Sequence, residues 1–203
     1  IERWEIPAGY LCPPIPSRAD YLHTVADLLA EGRSGGVPRG AAVRVLDIGM
    51  GANVVYPLLG TQLYGWSFVG TDVDATAVEA ARRNVAGTPG LAERIEIRLQ
   101  RSPDAIFSGV VKPGERFALS VCNPPFHDSP DQAAAGTLRK LRNLGGGRKP
   151  SAPRLNFGGR GHELWCDGGE IAFVTRMITE SAACPQRCGW FTTLVSKSGN
   201  LPA

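Results

Sequence analysis

Short apolar, β-branched runs alternate along this chain with stretches in which apolar residues recur every three or four positions. The first rhythm predicts buried strands and the second amphipathic helices. Tyr21, Leu22, Val25, Leu28 and Leu29 keep helical spacing after Ser17 and Asp20, which read as a helix start with an acid in the first turn. Gly32 ends that helix, and a Gly/Ser/Pro loop runs to Gly40. Val43 to Ile48 and Ser67 to Thr71 predict strands, and Ala75 to Ala86 predicts a helix capped by Asp74. Arg94 to Leu99 alternates charged and apolar residues, the pattern of a strand near a sheet edge. Gln100 to Phe107 predicts a loop and a short helix, and Phe117 to Cys122 a fourth, buried strand. Asp167-Gly168-Gly169-Glu170 opens a helix whose Ile171, Phe173, Val174, Met177 and Ile178 are expected to face inward. Gly189 to Val195 reads as the fifth strand.

Strands alternating with helices predict an α/β fold, a right-handed, doubly wound, mostly parallel sheet. At 203 residues one domain is expected, with residues 1–17 as an extended, proline-rich arm (Pro7, Pro13, Pro14, Pro16). There are no internal repeats. No apolar run approaches the roughly 20 residues of a membrane span, and the front lacks a charged-then-apolar signal pattern, so no membrane partner is expected. The five cysteines (Cys12, Cys122, Cys166, Cys184, Cys188) are scattered without zinc-ribbon or redox spacing. They read as reduced thiols of a cytoplasmic protein with no metal site.

Charge changes this picture locally. The net charge is +3, yet residues 132–162 carry Arg139, Lys140, Arg142, Arg148, Lys149, Arg154 and Arg160 and no acidic residue. The rest of the chain is therefore net acidic. A long basic, glycine-rich insert on an acidic body predicts a segment that contacts a polyanion.

The chemistry is expected where strands end, since ligands of such sheets sit beyond the carboxyl ends of the strands. Asp47-Ile48-Gly49-Met50-Gly51-Ala52-Asn53 follows the first strand. Two glycines two apart let the backbone turn tightly and approach a ligand. Asp72 ends the second strand about 20 residues on, the place and spacing of an acid that takes a ribose hydroxyl pair. The third glycine of the dinucleotide fingerprint is missing and Pro57 follows, which is expected to shorten or kink the next helix. This lowers the case for NAD and raises that for another adenosine-bearing cofactor.

The fourth strand stops at Asn123-Pro124-Pro125-Phe126-His127, because two prolines cannot donate ladder hydrogen bonds. The stiff turn fixes the Asn123 side-chain oxygen and the Pro124 carbonyl as two acceptors. Aimed at the hydrogens of an exocyclic adenine amine, they would return electron density to its nitrogen. Phe126 can stack on the base, which must come out of its own stack to reach such a pocket. His127 is expected either to touch RNA or, as the favoured reading, to be an exposed loop residue. Three other readings stay open: a methyltransferase for DNA amines or a protein glutamine, an RNA-binding module without catalysis, and, more distantly, a dehydrogenase.

With Asn123-Pro124-Pro125-Phe126 and the glycine loop in place, the sequence resembles the S-adenosylmethionine-dependent amino-methyltransferases, and more narrowly the bacterial 23S (large-subunit) ribosomal RNA adenine-N6 methyltransferase family. The resemblance runs through Pro13 to Tyr21, Gly49 to Pro57, Arg139 to Gly145, Leu155 to Gly159 and Glu163 to Glu170, and so covers nearly the whole chain. It implies a class I methyltransferase fold, S-adenosyl-L-methionine as cofactor and ribosomal RNA as partner. It implies a cofactor site of Arg18 (on the cofactor carboxylate), Asp47, Gly49, Gly51, Asn53, Asp72 and Asn123. Asn123, Pro124, Pro125 and Phe126 would hold the target adenine, and Arg139, Lys140, Arg142, Arg148 and Lys149 the RNA phosphates. Family members carry sequence before the region matching Ile1, and the fold type carries two further strands after the fifth, so the chain is expected to be a fragment truncated at both ends relative to the family.

Overall fold

β1 (Arg44–Ile48) and β4 (Phe117–Cys122) lie side by side at the centre of a sheet, and nearly all their side chains are buried. Such continuous apolar runs belong to strands covered on both faces. The computed structural model describes residues 2, 4–129, 131, 161–196 and 198–201. Within them β2 (Ser67–Asp72), β3 (Ile95–Leu99) and β5 (Cys188–Phe191) complete a parallel sheet in the order β3-β2-β1-β4-β5. The expected α/β fold is thus observed, with β3 at an edge as its alternating pattern predicts. Asp47 pairs with Val121 and Ile48 with Cys122, so the glycine loop and the proline turn leave neighbouring strands at one level.

The helices are α1 (Ile15–Ala30), α2 (Val55–Tyr64), α3 (Ala75–Ala86), the short α4 (Gly161–Leu164) and α5 (Gly169–Ala183). Alternation along the strands builds two cores. Val45, Leu119 and Val121 join α1, α2 and α3 on one face. Leu46, Ile48 and Cys122 join Met177 and Phe173 of α5 and the segment after β3, through Ile106 and Phe107, on the other.

Several expectations are corrected. α1 begins at Ile15, ahead of Ser17, with Pro16 in its first turn and the Ser17 hydroxyl donating back to the Pro14 carbonyl. Pro57 neither shortens nor kinks α2, because the helix starts two residues before it. The first amide used in the ladder is that of Leu58, on the Val54 carbonyl, so the missing N–H of Pro57 costs nothing. No helix forms over Gln100 to Phe107; the segment is a run of turns. β5 pairs further than its strand bounds, since Thr192 and Leu194 still donate to the Ser120 and Cys122 carbonyls.

The inward face of α5 also differs from the expectation. Met177 is buried, but Ile171 and Ile178 are exposed, Ile178 at 60%. The inward stripe is Glu170, Phe173, Met177 and Glu180. Its two acids are satisfied by distant donors: Glu170 by the Ser196 amide and Asn200, Glu180 by three amides after β3. All five cysteines are free thiols. No helix among the described residues is long and apolar enough to cross a membrane.

Candidate active site

Each of the three sequence segments expected to carry chemistry reaches one cavity of about 290 Å³ at the carboxyl ends of β1, β2 and β4. Gly49, Gly51, Asn53, Asp72, Asn123, Pro124 and Pro125 line it, and Arg18 reaches it from α1. The size is near the lower end for small-molecule pockets.

The glycine loop is fastened from both sides. The Met50 amide donates to the Thr71 carbonyl at 3.0 Å, and the Gly51 amide to the Asp72 carboxylate at 2.9 Å. The other Asp72 oxygen accepts the Asp74 amide at 2.9 Å, while Asp74 caps α3. Asp72 is thus held rigid on the cavity wall. Gly51 has a φ of +66°, and a Cβ there would meet Asn53 and Glu163 at 3.2 Å, so glycine serves both backbone and space.

Asn53 lines the cavity, but its polar atoms serve the fold. Its Oδ1 accepts the Val55 amide at the start of α2, and its Nδ2 donates to the Leu11 carbonyl of the arm. The proline-rich arm packs rather than extending freely. Trp4 donates to the Asn53 carbonyl, Glu5 and Asn84 exchange two bonds, and Tyr10 donates to Asp74. Leu11 and Pro13 then cover the cavity.

Asp47 is not on the cavity surface. Only 1% exposed, it points to the same side of β1 as Val45, toward α1 and α2. Burial above all, then the nearby charge of Asp72, raises its pKa well above the carboxylate range, and Arg18 opposes this. Neither of its oxygens has a partner. Asn123 Oδ1 is likewise buried and unpartnered.

Phe126 is half-buried and stands outside the cavity lining. His127 is not the exposed loop residue expected: its amide donates to the Leu164 carbonyl and its carbonyl accepts the Cys166 amide. That short parallel bridge with Trp165 brings Glu163, Trp165, Cys166 and Asp167 to the cavity. Arg139, Lys140, Arg142, Arg148 and Lys149 lie outside the described residues.

Sequence reasoning missed Tyr56, Gln100, Ile106, Glu163, Trp165 and Arg176 as lining residues. The stretch Glu163 to Glu170 carried a signal, as a marker of the resemblance, but no site role follows from its pattern. Among the described residues no cluster of three His, Cys, Asp or Glu side chains suits a metal ion.

A parallel sheet in this order, with a glycine loop after β1, an acid ending β2 and an Asn-Pro-Pro turn after β4 all on one cavity, has the class I methyltransferase architecture. The likeness to solved structures agrees. The human Mettl16 catalytic domain in complex with a MAT2A 3′UTR hairpin superposes with a TM-score of 0.75 at 30% identity, covering 98% of this chain and 62% of that one. The N-terminal domain of human METTL16 in complex with SAH gives 0.68 at 26% identity, over 98% and 62%. Residues 1–203 match the family described as RNA methyltransferase, and the chain belongs to that family.

Among curated relatives, the chain is 56% identical over 217 residues to the ribosomal RNA large subunit methyltransferase F of Methylobacillus flagellatus, covering 100% of this chain and 65% of that protein. The enzymes of the same name from Pseudomonas savastanoi pv. phaseolicola and Yersinia enterocolitica are 56% and 52% identical over 203 residues each, with 62% and 61% of their length covered. The chain thus spans less than two thirds of these relatives.

Proposed function

We propose that this chain is the cofactor-binding and catalytic part of a methyltransferase acting on the exocyclic N6 amine of an adenine in large-subunit ribosomal RNA. The observation that carries the reading is the buried, unpartnered Asn123 Oδ1 on a cavity shared with the glycine loop and Asp72. A buried acceptor left without a donor costs about 1–3 kcal/mol, and the two hydrogens of an adenine amine are donors of the right kind. Family membership and the relatives' name favour RNA over DNA or protein. The orphaned acceptor favours an active site over a binding module.

The residues fit S-adenosyl-L-methionine. Asp72 would hold the ribose, Gly49 and Gly51 would let the backbone lie close, and Arg18 would take the carboxylate. Asp47, buried behind the loop, would turn anionic only against the cofactor's ammonium, whose charge offsets its burial and the repulsion from Asp72. The cofactor supplies a methyl group on a sulfonium, which needs no metal. Asn123 and the Pro124 carbonyl, held still by the proline turn, accept from the N6 hydrogens and draw the amine toward tetrahedral geometry. That is preorganised electrostatic stabilisation. The turn also aligns nitrogen and methyl for in-line attack. Phe126, outside the cavity lining, remains available to stack on the extruded base. The basic insert grips the RNA backbone in a cytoplasmic ribosome-processing setting.

The test is methylation of deproteinised ribosomal RNA with the product located by mass spectrometry, alongside Asn123→Ala. We expect the variant to lose turnover while its affinity for S-adenosylhomocysteine changes little. Retained turnover rejects the role of Asn123.

A further inference from the structure

Among the described residues, the buried side-chain nitrogen and oxygen atoms without a hydrogen-bond partner belong to Asp47, Asn123 and Tyr56 alone. Asp47 and Asn123 have roles in the proposed reaction; the Tyr56 hydroxyl has none. Tyr56 stands in the first turn of α2, 3% exposed, and lines the same cavity as Arg18 and Asn123. Its ring is fixed edge-on to Tyr21 at 5.6 Å between centroids, and the Arg18 guanidinium lies 5.8 Å from its centre.

A phenylalanine would fill the same space without an orphaned hydroxyl. The hydroxyl has no partner in the fold, and Tyr56 lines the cavity, where a bound molecule can supply one. Burial pushes its pKa above the ordinary tyrosine value, so it is a phenol, a donor, at any physiological pH. Two donors of the chain, one of them cationic, thus stand together on the cavity wall. Paired donors of this kind match the carboxylate of an amino acid.

We propose that the Tyr56 hydroxyl donates a hydrogen bond to the carboxylate of the cofactor's amino-acid end, beside the Arg18 guanidinium. The inference rests on the S-adenosylmethionine reading above. It makes Tyr56 a cofactor-binding residue that discriminates cofactors with an intact carboxylate from those without. A hydrogen bond to a charged acceptor is about twice as strong as a neutral one, so its loss should weaken binding about tenfold.

The experiment is calorimetric titration of the wild-type chain and Tyr56→Phe with S-adenosylhomocysteine and with decarboxylated S-adenosylmethionine, together with the thermal midpoint of each ligand-free protein. The expected result is about tenfold weaker binding of S-adenosylhomocysteine by Tyr56→Phe, unchanged binding of the decarboxylated ligand, and a midpoint equal to or above wild type. Equal affinity of both proteins for S-adenosylhomocysteine overturns the inference. So does an equal loss for both ligands, or a midpoint lowered by several degrees, which would make the hydroxyl structural. A wild-type chain that binds neither ligand overturns the cofactor reading itself, and the inference with it.

Discussion

The Glu180 carboxylate accepts the Ile106 amide at 2.8 Å, joining residues 74 apart in sequence. It also takes the amides of Phe107 at 2.9 Å and Ser108 at 3.2 Å. Three consecutive N–H groups converge on one anion, and Ile106 lines the cavity. Glu180 therefore positions the wall after β3 without touching what binds there. Glutamine keeps a single oxygen and turns an NH2 toward the amides, at a cost of about 1–3 kcal/mol for a buried donor left unpaired. Glu180→Gln should lower the thermal midpoint by about 2–4 °C for each kcal/mol lost. S-adenosylhomocysteine affinity should fall several-fold, while turnover at saturating cofactor stays near wild type. An unchanged midpoint and affinity would show that the loop holds itself.

Asp47 is costly to the protein that carries it. Its pKa lies above the carboxylate range because of burial and then Asp72, so the folded state holds this proton more tightly than the unfolded state. Its contribution is favourable at low pH and is lost as pH rises from the ordinary value of about 4 toward the raised one. Asparagine at this position never ionises. Asp47→Asn should therefore melt higher than wild type at pH 8, with the advantage shrinking toward pH 4, and should bind S-adenosylhomocysteine more weakly. Melting scans across that range check the first part, and equal curves at every pH would reject it.

What was legible in the sequence was local. The strands are short apolar runs, and the turns that end β1 and β4 declare themselves through Gly49, Gly51 and the Pro124-Pro125 pair. Placing both beyond the sheet follows from topology alone. What escaped depends on partners far along the chain. A helical pattern predicts an apolar inward stripe, so Ile171 and Ile178 look buried and Glu170 and Glu180 exposed. The donors that reverse this, from Ser196 and from Ile106 to Ser108, are invisible to a pattern. The bond from Asn53 to Leu11 is invisible for the same reason, since Leu11 lies in an arm read only as extended. Tyr56 was hidden by its setting, an aromatic among apolar helix residues, and only the missing partner of its hydroxyl sets it apart.

Outside the cavity lining, Arg98 of β3 is 8% exposed and meets Glu115 twice at 2.7 Å, with Glu96 on its other side. Glu115 also accepts from Arg44 at 3.0 Å and from the Lys112 amide at 2.8 Å. The hydrogen bonds from Arg98, chiefly, pull its pKa down to about 2. A depressed pKa stabilises the fold above the unfolded value, and that contribution is lost as pH falls from about 4.5 to about 2. The wild-type midpoint should fall over that window. Glu115→Gln should melt lower at pH 7, by roughly 1–3 kcal/mol for lost bonds to a charged group, and lose less on acidification. Parallel acid profiles for the two proteins would remove Glu115 from the account.

Arg139, Lys140 and Arg142 belong to a segment with no acidic residue to neutralise them. If they sit on RNA phosphates, each displaces condensed counterions, so binding weakens with salt by a slope of about 0.7 per contact on single strands and 0.9 on duplex. Changing all three to glutamine removes the charge and keeps much of the length. The plot of log affinity against log salt should then lose about two to three in slope, and affinity at low salt should fall more than at high salt. S-adenosylhomocysteine binding, made in the cavity between β1, β2 and β4, should not change, which separates loss of grip from loss of fold. An unaltered slope with weakened binding would mean that the three side chains act by shape rather than charge, and the polyanion role of the segment would fall.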